Sequence, residues 1–212
     1  MQRRALGLFF IVLALTLFGE SVWILAKAQL AQLLLARAWE RRIDGAAEPK
    51  PWPWADTWPV ALLRAPRLGK DYVVLAGASG RNMAFGPTHV GSSDVLGGSS
   101  NAVVSGHRDT HFAFLEHLTP GDELVVDTPD SKRHHYRVET THVVDENDLW
   151  VLDPTDDKVL TLVTCFPFRA LVPGGGQRYV VRALASDASS DDRGSSVRWR
   201  PCSRRDKPAC SS

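Results

Sequence analysis

Hydrophobic and polar positions divide the chain into four stretches. From Ala5 to Ala26 the residues are almost all apolar, and Arg3 and Arg4 stand before them. A helix of about 22 residues is roughly 33 Å long, enough to cross a hydrocarbon layer. Glu20 falls towards the far end, where a carboxyl reaches the headgroup zone at less cost than at the centre. The stretch is long for the hydrophobic region of a cleaved signal peptide, and no small-x-small site ends it. Residues 1–27 are therefore expected to be an uncleaved transmembrane anchor. The two arginines favour a cytoplasmic N-terminus, although Lys27, Arg37, Arg41 and Arg42 on the other flank weaken that asymmetry.

Residues 28–59 change character twice. Leu30, Leu33, Leu34, Ala38 and Ile43 recur at helical spacing and predict an amphipathic extension of the anchor helix. Prolines at 49, 51, 53 and 59 then deny both helix and sheet donors, so an extended linker is expected. Its tryptophans, Trp52, Trp54 and Trp58, suit either a membrane interface or packing onto the following domain. Distance from the anchor favours the domain.

Residues 60–185 alternate short apolar runs with turn chemistry. Expected strands are 61–63, 72–76, 102–105, 123–127, 135–144, 159–164 and 178–183, with one short helix at 112–118. The segments between them are rich in Gly, Ser, Asp and Pro. Seven or eight strands with no βαβ rhythm predict an all-β domain, either a small barrel or a sandwich. Residues 186–212 are polar and carry too little apolar surface to build a core, so disorder is expected there.

Composition narrows the function. With 25 basic and 24 acidic residues the formal charge is +1, which gives no electrostatic case for nucleic-acid binding. The three cysteines form no Cys-x-x-Cys pair and no zinc pattern, so neither a metal nor a cofactor is expected. The acids at 145, 146, 148, 153, 156 and 157 lack the spacing of a helix–loop–helix calcium site and read as solvated.

Candidate chemistry gathers on three residues. Cys165 closes an apolar run just before Phe166-Pro167, where a sheet end would offer its sulfur to a substrate. His107 follows Gly106 at the end of another run and is placed to exchange protons. A cysteine with a distant histidine suits covalent acyl transfer, the thiolate attacking and the imidazolium protonating the leaving group. Arg178 starts the last run, 13 positions after the cysteine, and a guanidinium there suits an oxyanion. His134 and His135 fall in a hairpin-like turn and read as solvated.

These segments resemble motifs of the sortase family. Ser105-Gly-His-Arg-Asp-Thr-His-Phe112, followed by Leu115, Leu118 and Gly121-Asp122, is similar to the sortase histidine motif. Thr161-Leu-Val-Thr-Cys165 and Gln177-Arg178-Tyr-Val-Val resemble the cysteine motif and the arginine strand. Ala84-Phe-Gly-Pro-Thr-His89 resembles a segment some sortases carry upstream, and the Trp/Pro-rich stretch resembles the sortase group of Gram-negative bacteria, class D-like. The likeness spans roughly residues 71 to 184.

The resemblance implies a closed eight-stranded sortase-type β-barrel with short helices behind a transmembrane helix. It implies a cysteine transpeptidase that cleaves an LPxTG-like sorting signal at Thr–Gly and passes the acyl group to an amine acceptor. Cys165, His107 and Arg178 would be catalytic, and Thr164, His89 and His111 would contact substrate. Expected partners are a protein bearing that signal at its C-terminus and the membrane. The expected location is the inner membrane, single-pass, with the catalytic domain facing the periplasm or exterior. Two alternatives stay open: a cysteine peptidase that resolves the intermediate with water, and a tethered binding domain without chemistry.

Overall fold

A computed structural model describes residues 2–170 and 175–186, apart from the side chains of 2–17, 21, 22, 24 and 25. The expected tail, 186–212, lies outside the described residues from 187 onward, Cys202 and Cys210 included.

Eight strands close into one barrel. They are β1 (Pro59–Ala65), β2 (Lys70–Ala76), β3 (Thr88–His89), β4 (Asn101–Ser105), β5 (Glu123–Asp127), β6 (Arg133–Asp145), β7 (Val159–Phe166) and β8 (Gln177–Ala185). Their order around the barrel is β1-β2-β3-β4-β7-β8-β6-β5. β2–β3 and β4–β7 pair in parallel and every other pair is antiparallel. Among the described residues, closure leaves no open sheet edge to pair with another chain.

Period-two alternation turns one face of each strand inward, where Leu63, Val74, Val104, Leu124, Val126, Tyr136, Leu160, Leu162 and Val181 form the core. The expected short helix is a 3-10 helix, Ala113–His117. Phe112, Phe114, Leu115 and Leu118 from this segment join the barrel core.

β1 is buried on both faces. Leu63 points into the barrel, whereas Leu62 packs outward with Val73 and Leu75 against Leu35, Ala36 and Trp39. Those last three belong to α1 (Gln2–Ile43), a single helix of 42 residues whose C-terminal part covers β1 and β2. Most of the expected anchor falls on side chains outside the described ones. Among the described residues, no helix is long and apolar enough to cross a membrane.

The linker lies on the barrel. Trp52 meets Phe85 edge-on at 4.8 Å, Thr57 donates to Ala76 O (2.7 Å), and the Ala76 N–H donates to Trp58 O (2.9 Å). Trp54 departs from the expected packing and is 83% exposed.

Three sequence-based expectations change. β3 was not foreseen; two residues are too short to show alternation. β7 runs two residues further than expected, so Cys165 sits inside a strand and Phe166 ends it. β6 starts at Arg133, ahead of the expected 135, so His134 joins His135 in the strand, and both rings are half-buried rather than solvated. His134 Nδ1 meets Lys158 Nζ at 2.9 Å, and His135 Nδ1 meets Glu123 Oε1 at 2.7 Å.

Candidate active site

The site begins with the parallel pairing of β4 and β7, which sets Ser105 opposite Val163. Beyond Ser105 the backbone stays on β7 for one more residue, since the Gly106 N–H donates to Val163 O (3.1 Å). Glycine is required there by space. A Cβ on Gly106 would lie 2.8 Å from Cγ of Phe112, a fully buried ring. His107 then emerges exposed, and its carbonyl accepts from the Phe112 N–H (3.0 Å), closing the turn.

Thr164 couples this turn to the cysteine. Its hydroxyl donates to Gly106 O at 2.7 Å, and the residue is 2% exposed. The residues immediately before His107 and Cys165 are thus hydrogen-bonded to each other. Thr164 was expected to touch substrate; the structure instead buries it and commits its hydroxyl to tying β7 to the His107 turn.

Cys165 is a free, half-buried thiol directly opposite Arg178 in the antiparallel β7–β8 register. Alternation puts Cys165 and Arg178 on one face, and Thr164, Phe166 and Tyr179 on the other. Phe166 stacks on Tyr179, and Phe168 meets both edge-on, with centroid distances from 5.0 to 6.2 Å.

The Arg178 guanidinium donates to Gly175 O (2.6 Å), to Gln177 O (2.9 Å) and to Glu146 Oε2 (2.8 Å). The Glu146 N–H also donates to Gly176 O (2.7 Å), so the loop after β6 and the entry to β8 hold each other. Asp145, next to Glu146, lies below the usual carboxylate range because Asn147 donates to it from backbone and side chain, and Arg178 adds positive charge.

His111 stands near His107. Burial and then the charge on His107 push its pKa down, which favours the neutral ring. Its ring meets Tyr72 edge-on at 5.6 Å, and Nδ1 lies 3.2 Å from Thr110 Oγ1. His89 is placed elsewhere. Nε2 lies 2.8 Å from Asp94 O, and the ring lines a cavity of about 370 Å³ with Arg42, Val60, Leu96, Thr128 and Asp130. None of Cys165, His107 or Arg178 lines that cavity.

Two residues at the site were missed from sequence. Arg108 is 5% exposed and donates to Pro167 O (2.9 Å) and Ala170 O (3.4 Å). It stood inside the quoted histidine motif, but an arginine in a polar turn reads as solvated. Glu146 was grouped with solvated acids, and nothing in the sequence links it to a guanidinium 32 positions away.

Residues 63–186 match the family model described as a sortase domain. The chain is 27% identical over 121 residues to Sortase D of Bacillus subtilis (strain 168), covering 57% of this chain and 60% of that protein. It is 29% identical over 110 residues to Sortase A of Listeria monocytogenes, covering 50% of this chain and 49% of the other. The chain thus spans about half to three fifths of the length of these curated relatives. Two solved structures share the fold. One is a Clostridium perfringens Sortase D5 transpeptidase, with TM-score 0.56 and 21% identity over 70% of this chain and 87% of that one. The other is a lid mutant of Sortase A from Corynebacterium diphtheriae, with TM-score 0.59 and 20% identity over 77% and 97%.

Proposed function

This chain belongs to the sortase family, and we propose that it is a membrane-anchored cysteine transpeptidase acting on an LPxTG-like sorting signal. The observation that carries the reading is the juxtaposition at one end of β7. Cys165 on β7 stands opposite Arg178 on β8, and the Gly106–Thr164 hydrogen bond draws the His107 turn against the nucleophile strand.

The chemistry follows from those three groups. The Cys165 thiolate attacks the carbonyl carbon of the Thr–Gly peptide, and the tetrahedral oxyanion is met by the Arg178 guanidinium. His107 gives its proton to the departing glycine amine as the C–N bond breaks, leaving a thioester on Cys165. An acceptor amine then loses its proton to His107 and attacks the thioester. The new amide forms, and the thiolate leaves. Glu146 keeps the guanidinium in place through both steps, because its carboxylate bonds one end of the fork. His111 sits beside this path, and its neutral ring adds no charge competing with His107.

The anchor completes the proposal. Residues 1–27 hold the protein in the inner membrane, with the barrel facing the periplasm or exterior. The continuity of α1 into the segment that packs on β1 and β2 supports a stiff connection between anchor and barrel.

The test is product analysis. The full chain in detergent is incubated with an LPxTG-like peptide and an amine, beside Cys165→Ala. Amine-exchanged peptide from the wild type alone is expected. Free acid despite abundant amine would favour a peptidase, and an unchanged Cys165→Ala variant would favour a binding domain without chemistry.

A further inference from the structure

We propose that Arg108 is a positioning residue that sets the spacing between the His107 turn and the Cys165 strand; its role in turnover rests on the transpeptidase reading above. Arg108 directly follows His107, yet its side chain is only 4% exposed. A guanidinium seldom sits so deep without strong partners. Here Nη1 donates to Pro167 O at 2.9 Å, Nη2 to Ala170 O at 3.4 Å, and Nε lies 3.3 Å from the Asp109 carboxylate.

The positions of those carbonyls give the arrangement its meaning. Pro167 is two residues after Cys165, and Thr164 is one residue before it. Thr164 is bound to the residue before His107, and Pro167 to the residue after it. The nucleophile and the proton carrier are therefore bracketed by a tie on each side. Without the Arg108 tie the Thr164 hydroxyl would leave the turn free to pivot. By holding the carbonyls of Pro167 and Ala170, Arg108 also pins the first residues after β7.

Geometry makes arginine specific here. Its planar fork serves two carbonyls at once, whereas a lysine ammonium is a point charge on a flexible stem. Loss of the fork leaves the Pro167 and Ala170 carbonyls without their donor and lets the turn shift, and a misplacement of about 1 Å costs roughly 100-fold in rate.

Arg108→Lys and Arg108→Gln are made in the full chain, and thermal unfolding is recorded for each. Then kcat and KM for the peptide are measured. Cys165 alkylation by iodoacetamide is followed across the neutral pH range, with wild type and His107→Ala as references. The expected result is a folded Arg108→Lys protein with kcat lower by about 10- to 100-fold and KM changed by less than about threefold. Its alkylation profile should move towards that of His107→Ala. A folded variant with wild-type kcat and a wild-type alkylation profile overturns the proposal. So does a kcat loss no larger than the unfolded fraction explains. Wild-type protein that never turns over peptide would sink the transpeptidase reading alone, because the alkylation profiles still report whether Arg108 couples His107 to Cys165.

Discussion

Thr164→Val isolates the hydrogen bond on which the site is built. The substitution keeps the branched shape and removes the donor that holds Gly106 O at 2.7 Å. Thr164 is 2% exposed and Gly106 is buried, so water is poorly placed to replace the lost partner. Breaking a neutral hydrogen bond while leaving a buried acceptor behind costs about 1–3 kcal/mol. Urea unfolding should show that loss as a lower midpoint with an unchanged slope. Activity should fall further than stability, because the bond also sets where His107 stands relative to Cys165. A drop in kcat of about 10- to 100-fold is expected, with KM for an LPxTG-like peptide little changed. Thr164→Ser, which keeps the hydroxyl, should retain most of the rate. A Thr164→Val protein as active as wild type would refute the argument that this bond positions the catalytic pair. A raised KM with unchanged kcat would instead restore Thr164 as a substrate contact.

Other outcomes follow from the same geometry. Gly106→Ala would place a methyl 2.8 Å from the Phe112 ring, and overpacking of that kind should cost about 1–3 kcal/mol in denaturant unfolding and displace His107. Trp39→Ala removes a fully buried indole from the seam between α1 and the barrel, and a loss of about 3–5 kcal/mol is expected by the same measurement. Asp122 accepts from Arg67 and from the Thr119 N–H and hydroxyl, which hold its carboxyl below the usual range. A depressed folded pKa contributes stability above the unfolded value of about 3.9, and that stability is lost as pH falls through the folded pKa. Wild type and Asp122→Asn should therefore differ most near neutrality and converge in acid; a constant gap across pH would contradict this.

The barrel was legible where strands were long and one face was buried. Residues 159–164 and 178–183 are short runs rich in apolar and β-branched residues, and the structure places them as β7 and β8 with one or two residues added at their ends. β3 was invisible because two paired residues carry no period. The double burial of β1 was legible only in part: its apolar run marks a strand but does not say that α1 covers its outer face. At the site, residue types and order pointed to Cys165, His107 and Arg178, yet the groups that hold them were hidden. Arg108 is polar in sequence and buried by a turn that begins 59 positions later. Glu146 meets Arg178 only because β6 and β8 pair along their length. Thr164 adjoins Cys165 along the chain, and His89 lies upstream of His107 in a segment of its own. His89 turns into a cavity apart from the catalytic groups, and Thr164 spends its hydroxyl on Gly106. Proximity in sequence located the neighbourhood, and tertiary pairing decided which side chains face the chemistry.

The central claim is that Cys165 forms the acyl bond. Intact-protein mass spectrometry of the full chain, held with an LPxTG-like peptide and no added amine, tests it most directly. The account predicts a mass gain equal to the peptide up to and including its threonine, less one water, located by digestion on Cys165 and removed by hydroxylamine. An adduct on another residue, or the same adduct formed by Cys165→Ala, would contradict it.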